Sequence, residues 1–320
     1  MNITVIGCGR WGSFIGWYLD QIGHKVTFYG PADTPHMQRY LETRTNGMLT
    51  LRDSIGLTTD IKEGLQAETV VISVPSQSFR GLLHEILDTG IDISKKTFIL
   101  CMKGIEIESG KRLSQVFEEV VGDEVSLAVW LGPGHPQEFV KGIPNCMVID
   151  SHSQELKEKL VEQFKGPLIR FYYGSDLIGN EIGAAAKNVI GIAAGVLDGI
   201  GRSSLKGALM SRGTREIARL IEACGGNGLS AYGLCHLGDY EATVFSKFSH
   251  NRAFGEMYAK GETFPDLAEG YYTAKAIKRL ADEKGVELPI CEAVYAMLYE
   301  NASIEEKLAG LFLRSLKQEF

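Results

Sequence analysis

The feature that most constrains this chain lies in its first dozen residues. A β-branched run, Ile3-Thr4-Val5-Ile6, is followed at once by Gly7-Cys8-Gly9-Arg10-Trp11-Gly12. Three glycines in G-x-G-x-x-G spacing between a strand and a helix do three separate things. The first permits a tight turn, the second lets backbone approach a pyrophosphate, and the third lets helix pack on strand, while the helix N-terminus attracts the anion. Alone the pattern is weak. At the head of a strand–helix–strand unit it predicts a dinucleotide-binding turn built on Gly7, Gly9 and Gly12.

From Asn2 to about Ile149, short apolar runs alternate with longer amphipathic ones: ITVIG, KVTFYG, TVVISV, TFILCM, SLAVWLG and CMVID are the candidate strands. That alternation predicts an α/β unit with a mostly parallel sheet. From about Asn180 a 3.6-residue periodicity takes over, which predicts an all-α second half. The expected division is a dinucleotide-binding Rossmann domain over 1–178 and a helical substrate and catalytic domain over 179–320. The two should pack closely around one cleft, because LIRFYYGSDLIGN does not read as a loose linker. Gly285 and Pro289 mark one helix end and the next helix start, and Ser303 reads as the N-cap of a last helix spanning SIEEKLAGLFLRSLKQEF.

A net charge of -7 and a pI near 5.6, with no basic run, argue against nucleic acid or an anionic membrane as partner and for a small molecule. The six cysteines are scattered, without a C-x-x-C pair or clustered Cys/His of zinc spacing, so no metal site is predicted and the thiols are expected to be reduced and buried. The chain enters its first strand without a basic leader, and the apolar run Val189 to Leu197 is too short to span a bilayer. A cytoplasmic protein without membrane insertion is expected.

One lysine stands out. Lys187 in GAAAKNVIGIAAG has Gly183 and Ala184 one turn before it and Ile190 and Gly191 one turn after. A cation there either snorkels to water or is held at a site that uses it, and desolvation would tune it to exchange a proton near neutral pH. Its small neighbours permit close approach by a ligand or by another backbone. Pro75 in SVPSQ and Lys103 in CMKGIE follow central strands, where an open α/β sheet presents its ligand crevice; Lys103 taken singly reads equally as a surface loop lysine. After the second strand there is no immediate arginine, and Asp33 lies two positions beyond Pro31, which leans the reading slightly to NAD over NADP.

Taken together, GCGRWG, VPSQ, CMKGIE, LGPGHPQE, NEIGAAAKNVIGIAAGVLDGIG, GLCHLGDYEATVFSKFSHNRAFG and EGYYTAKAI stand in the order and approximate spacing of the NAD(P)-dependent glycerol-3-phosphate dehydrogenases. The chain resembles that family over nearly its whole length. The resemblance implies NAD or NADP as cofactor, a small phosphorylated substrate, and reversible reduction of dihydroxyacetone phosphate to sn-glycerol 3-phosphate. It also implies a place in glycerol-3-phosphate metabolism and glycerophospholipid biosynthesis. Position by position, Lys187 matches the family's catalytic lysine and Asp239 its acidic partner. Substrate contacts fall on Lys103, Gly132, Gly134, Asn188, Thr243, Ser249, His250 and Asn251. Cofactor contacts fall on Arg10, Trp11, Pro75, Lys103, Pro136, His250, Leu267 and Glu269, beside the three glycines. Lys187 would protonate the carbonyl oxygen as hydride arrives at carbon and take the proton back in oxidation. Asp239 would hold that ammonium or bind a substrate hydroxyl, although after Gly238 it also reads as a helix N-cap. Asn188 and Thr243 would add neutral hydrogen bonds. Helical domains with such apolar faces often form homodimers.

Three departures from the family pattern stand out. The usual G-P-S/T, then Phe or His, then Ala becomes Gly132-Pro133-Gly134-His135-Pro136, which removes a hydroxyl and a backbone N–H. S-R-N-R becomes Ser249-His250-Asn251-Arg252, so a histidine stands where an arginine should face substrate phosphate and cofactor. Arginine grips phosphate through a permanently charged fork, whereas histidine is charged only when protonated, and an unreplaced loss costs about 1.5–3 kcal/mol. Arg252 and Arg202 are candidates to make it good. The loop NGMLTLRDSIGL also departs and is expected to be remote from the catalytic set. Other readings are a dehydrogenase for another small hydroxy compound or polyol phosphate, a non-catalytic cofactor-binding regulator, and a β-hydroxyacid or ketopantoate reductase. The regulator predicts loss of Lys187 or Asp239, and HLGDYEATVFSKFSHNR argues against the reductases.

Overall fold

Strands buried on both faces read as continuous apolar runs, and the central strands here do so: the four residues of TVVI are all buried. The computed structural model describes residues 1–316, 318 and 319. Its eight strands are β1 (Asn2–Ile6), β2 (Lys25–Tyr29), β3 (Gly56–Thr58), β4 (Thr69–Ile72), β5 (Thr97–Leu100), β6 (Ser126–Leu131), β7 (Asn145–Asp150) and β8 (Ile169–Tyr173). They form one sheet in the order β3-β2-β1-β4-β5-β6-β7-β8. Every pairing is parallel except β6 with β7. The six strands expected from sequence are all present. Two were not anticipated: the three-residue edge strand β3, and β8, which occupies the join between the halves.

The helices flanking the sheet are α1 (Arg10–Gln21), α2 (Pro35–Thr43), α3 (Ile61–Gly64), α4 (Phe79–Asp88), α5 (Leu113–Val121), α6 (Pro136–Phe139) and α7 (Gln154–Phe164). One apolar core packs around Phe14, Trp130 and Phe164, and another around Phe79, Phe98 and Phe117. Beyond β8 the chain is helical: α8 (Leu177–Gly199), α9 (Lys206–Ala223), α10 (His250–Ala259), α11 (Glu269–Lys284), α12 (Pro289–Tyr299) and α13 (Ile304–Phe312). Gly285 ends α11 in the left-handed region, Pro289 opens α12, and the Ser303 side chain caps α13, as the sequence suggests. The last helix stops at Phe312 rather than continuing through the terminal residues, of which 317 and 320 lie outside the described set.

The axis of the helical half is α8, whose 23 residues are long and apolar enough to cross a membrane. Its window is 89% buried inside the protein, so here it serves as a core helix. Tight packing explains its small residues. A Cβ on Gly195 would lie 2.0 Å from the Arg252 carbonyl oxygen, and one on Gly255 would lie 2.1 Å from the Ile192 carbonyl oxygen, so α8 and α10 touch backbone to backbone. Nearer Lys187 the glycines meet side chains instead: a Cβ on Gly183 would lie 3.0 Å from the His236 Cβ, and one on Gly191 would lie 2.7 Å from the Thr243 methyl. All six cysteines are free; Cys8, Cys101, Cys235 and Cys291 are buried, whereas Cys146 and Cys224 are only partly so.

A buried ion pair ties the N-terminal end of α8 to the sheet half. Glu181 pairs with the Arg112 guanidinium and accepts from the Ser114 backbone N–H (2.9 Å) and hydroxyl (2.6 Å). Removing one partner strands a buried charge. Glu181→Ala should therefore cost about 3–5 kcal/mol, seen as a lower urea midpoint, and Arg112→Leu with Glu181→Leu should recover much of that loss. An unchanged midpoint for Glu181→Ala would refute this account.

Candidate active site

Parallel topology places the carboxyl ends of β1, β4, β5 and β6 along one edge of the sheet, and the candidate residues gather there. At the first turn, Gly7 takes φ +108°, and a Cβ on it would lie 2.2 Å from the Ser73 carbonyl oxygen. A Cβ on Gly12 would lie 2.1 Å from the Gly7 carbonyl oxygen, so helix and strand need both glycines. Gly9 differs: a Cβ there meets nothing within 4 Å, and as N-cap of α1 it covers the helix end with no side-chain hydrogen bond. The result is an open cradle at a helix N-terminus, and it fits a dinucleotide pyrophosphate. Beside it, the Trp11 ring has an indole N–H that is buried without a partner among the described residues. Lys103 Nζ lies 5.6 Å from the Trp11 ring centroid, which links the turn to the next group.

That group centres on Asp239. A short 3-10 turn, Leu237–Asp239, ends on this residue, whose side chain is fully buried. Its Oδ2 accepts from Lys103 Nζ at 2.6 Å and lies 3.0 Å from Lys187 Nζ. Its Oδ1 is buried with no partner among the described residues. The N-cap alternative for Asp239 therefore does not hold, and Lys187, 8% exposed on α8, does not snorkel to water. Lys103 also donates to the Gly132 carbonyl at 2.7 Å, so the loops after β5 and β6 are clamped together.

A π-helical turn, Glu241–Phe245, follows Asp239. It delivers the Thr243 hydroxyl, which accepts from Lys187 Nζ (2.7 Å) and donates to the Asp239 carbonyl (2.7 Å). Extra residues in a helical turn of this kind recur at functional sites. A chain of amides backs the group: Asn188 donates to the Lys103 carbonyl (3.0 Å), Asn251 donates to Asn188 Oδ1 (3.0 Å), and the Gly270 N–H donates to Asn251 Oδ1 (2.8 Å). Lys103, Asn188, Thr243, Asn251 and the Lys187–Asp239 pair thus come together.

The remaining predicted residues take other places. Ser249, buried, spends its hydroxyl oxygen as N-cap of α10, accepting the Arg252 N–H at 3.3 Å. Pro75 is exposed just past β4. Its neighbour Ser76, which the sequence did not single out, donates its N–H (3.2 Å) and hydroxyl (2.5 Å) to Glu269. Burial raises the Glu269 carboxyl, and these two bonds only partly offset it. Gly134 holds φ +131°, and a Cβ on it would meet the Phe139 ring at 2.3 Å. Pro136 opens α6, where a missing N–H costs no helical bond. His250 begins α10; its Nδ1 donates to the Leu267 carbonyl at 3.2 Å, and burial together with the Arg10 charge pulls its pKa below the usual value. Arg252 is not free to replace it, since its guanidinium is committed to Asp198 (2.7 Å), Glu256 (3.0 Å) and the Ser246 carbonyl (3.1 Å). Arg202 is exposed beyond the end of α8.

His135 is a residue that sequence reasoning missed as a site member. Its pKa is pulled down to about 4 by burial and by the charges of Lys187 and Lys103, against Asp239, and its Nε2 has no partner among the described residues. It is a neutral imidazole beside the lysine pair. Its signal was its position between Gly134 and Pro136 in the run after β6. The Asn46–Met48 loop is also less remote than expected: with Gln137, Val140, Lys141 and Phe248 it lines a cavity of about 530 Å3, and Phe248 packs edge-on to His135.

Burial and the neighbouring Lys103 ammonium lower the Lys187 pKa to about 8, while Asp239 holds it from falling further. Such a group is a usable proton donor and acceptor near neutral pH. NMR of isotope-labelled lysine should show Lys187 titrating near 8. Asp239→Asn should move that titration down and Lys103→Met should move it up. If neither variant shifts it, the three groups are not coupled as described.

Models of NAD-dependent glycerol-3-phosphate dehydrogenase N-terminal and C-terminal domains match residues 2–157 and 176–309. The chain is 36% identical over 335 aligned positions to a glycerol-3-phosphate dehydrogenase [NAD(P)+] of Chlorobium phaeobacteroides (strain BS1), covering 100% of this chain and 99% of the relative. It is 37% identical to a protein of the same name from Prosthecochloris aestuarii, covering 100% of each. In structure it is similar to a crystallised glycerol-3-phosphate dehydrogenase from Coxiella burnetii, with a TM-score of 0.91, 26% identity, and 98% and 99% of the two chains aligned.

Proposed function

The chain belongs to the NAD-dependent glycerol-3-phosphate dehydrogenase family, and from that premise we propose that it interconverts dihydroxyacetone phosphate and sn-glycerol 3-phosphate, with Lys187 giving and taking the proton. The observation that carries this reading is the convergence of Lys103 and Lys187 on one Asp239 carboxylate whose second oxygen is unpartnered. The nicotinamide, when bound, supplies or accepts the hydride.

The protein's own residues do the rest. The Lys187 ammonium sits where it can stabilise charge growing on a carbonyl oxygen and then protonate it. Thr243 and Asp239 fix its direction by bonds on two sides. Asp239 Oδ1, an acceptor left open in a buried place, suits a substrate hydroxyl. Two ammonium groups against one carboxylate leave the group cationic when both are protonated, which favours a phosphorylated substrate. Asn188, Asn251, Ser249 and His250 would border that substrate, as would the loop of Gly132 and Gly134. Gly7, Gly9, Gly12, Arg10, Trp11, Pro75, Pro136, Leu267 and Glu269 would border the cofactor. Asp33, exposed after β2 in a turn without arginine, keeps the lean to NAD. We take residue 178 as the functional division between cofactor and substrate halves, the cytoplasm as the place of action, and a homodimer as the assembly.

Purified protein should oxidise NADH or NADPH in the presence of dihydroxyacetone phosphate. Lys187→Ala should lower kcat by about 10^2- to 10^4-fold while leaving cofactor affinity unchanged. Reduction needs the ammonium, so its kcat/KM should fall as pH rises through about 8, and that of oxidation should rise over the same range. Full turnover by Lys187→Ala would sink the assignment. Normal cofactor binding without turnover in the unaltered protein would point to another small polyol phosphate.

A further inference from the structure

The departure at position 250 leaves a chemical gap. A phosphate at this junction is best met by a permanent cation, yet burial and the Arg10 charge disfavour the charged form of His250, and Arg252 is bound to Asp198 and Glu256. Arg10 belongs to the sheet half, whereas His250 begins α10 of the helical half. It is the first residue of α1, directly after the open Gly9 cradle, and its guanidinium makes no hydrogen bond or ion pair among the described residues. It lies near enough to His250 to act on that imidazole by charge, and the acid felt by both is the exposed Asp266, whose Oδ2 is 4.0 Å from His250 Nε2. An unpaired guanidinium beside uncovered helix N–H groups is a natural receiver of a phosphate, because its planar fork bonds two oxygens at once.

We propose that Arg10, reaching from the N-terminus of α1, replaces the arginine absent at position 250 as the permanent cation that grips a ligand phosphate at the junction of the two halves. The cation then comes from the cofactor side of the cleft instead of the helical side, and His250 keeps its hydrogen bond to the Leu267 carbonyl. This rests on the dehydrogenase reading for the identity of the ligands, whose phosphates are the cofactor's pyrophosphate and the substrate's phosphomonoester.

The test measures two constants in the intact protein: the Kd of reduced cofactor by nicotinamide fluorescence, and the KM for dihydroxyacetone phosphate. Arg10→Ala should weaken one of them by about 10- to 100-fold, the range expected for one charge-assisted bond. Loss in the cofactor Kd assigns the grip to the pyrophosphate, and loss confined to KM assigns it to the substrate phosphate. Adding His250→Arg to Arg10→Ala should restore most of the loss, because it returns a fork to the same place from the other side. Arg202→Ala should change neither constant. Values within twofold of the unaltered protein for Arg10→Ala, or no restoration by His250→Arg, would overturn the proposal. Should the unaltered protein bind cofactor but fail to turn over dihydroxyacetone phosphate, the substrate reading fails, and the fluorescence arm alone decides on Arg10.

Discussion

The structure turns on one buried carboxylate. Asp239 is fully enclosed, and an enclosed charge is tolerable only when opposite charge and hydrogen bonds meet it. Here the opposing charges come from both halves of the chain: Lys103 from the loop after β5, and Lys187 from the middle of α8. The proposed catalytic group and the joint between the two halves are thus the same set of atoms. The Lys103 bond to Gly132 and the Asn188 bond to the Lys103 carbonyl extend this joint on either side. Any relative movement of the halves would have to loosen a buried ion pair.

Close backbone packing serves the same end. Because α8 and α10 meet at glycines, Asn251 is brought within reach of Asn188, and the π-helical turn is pressed onto Gly191, whose Cβ would lie 2.7 Å from the Thr243 methyl. The local irregularity lets the Thr243 hydroxyl face both Lys187 and the Asp239 carbonyl. Substitutions at these glycines would displace the Lys187–Thr243–Asp239 group without touching it.

Much of this was legible in the sequence, for identifiable reasons. β1, β2 and β4 to β7 announce themselves as apolar, β-branched runs, and the glycine turn by its spacing. β3 is too short to carry a pattern and begins with glycine, and β8 hides because IRFYY directly adjoins the helical half. α13 was read too long because its apolar residues continue past Phe312 after the helical packing has ended. Within the site, Lys187 was conspicuous as a lone cation among alanines, and the order of motifs pointed to Asp239. His135 was not, because a histidine between glycine and proline looks like loop chemistry. Only its burial against two ammonium groups reveals it. The partnerless state of Arg10 is likewise a property of space, since no spacing rule says which arginines lack a carboxylate.

The burial of α8 has a consequence for how the chain is made. Residues 177–199 form a helix that passes for a membrane span by length and composition. Its cover comes largely from α10 and α11, which begin at residues 250 and 269. Those helices end at residues 259 and 284, so at synthesis rates of about 5–20 residues per second roughly 60–85 further residues must be added before that cover exists, an interval of about 3–17 s. During it the longest apolar helix of the protein is a nascent segment without its native neighbours, exposed to chaperones, to other nascent chains and to lipid alike. The sheet half, whose strands are all complete by residue 173, can fold in that interval and offer α8 its first anchor through Arg112 and Glu181. Order of synthesis and order of shielding are thus matched along this chain.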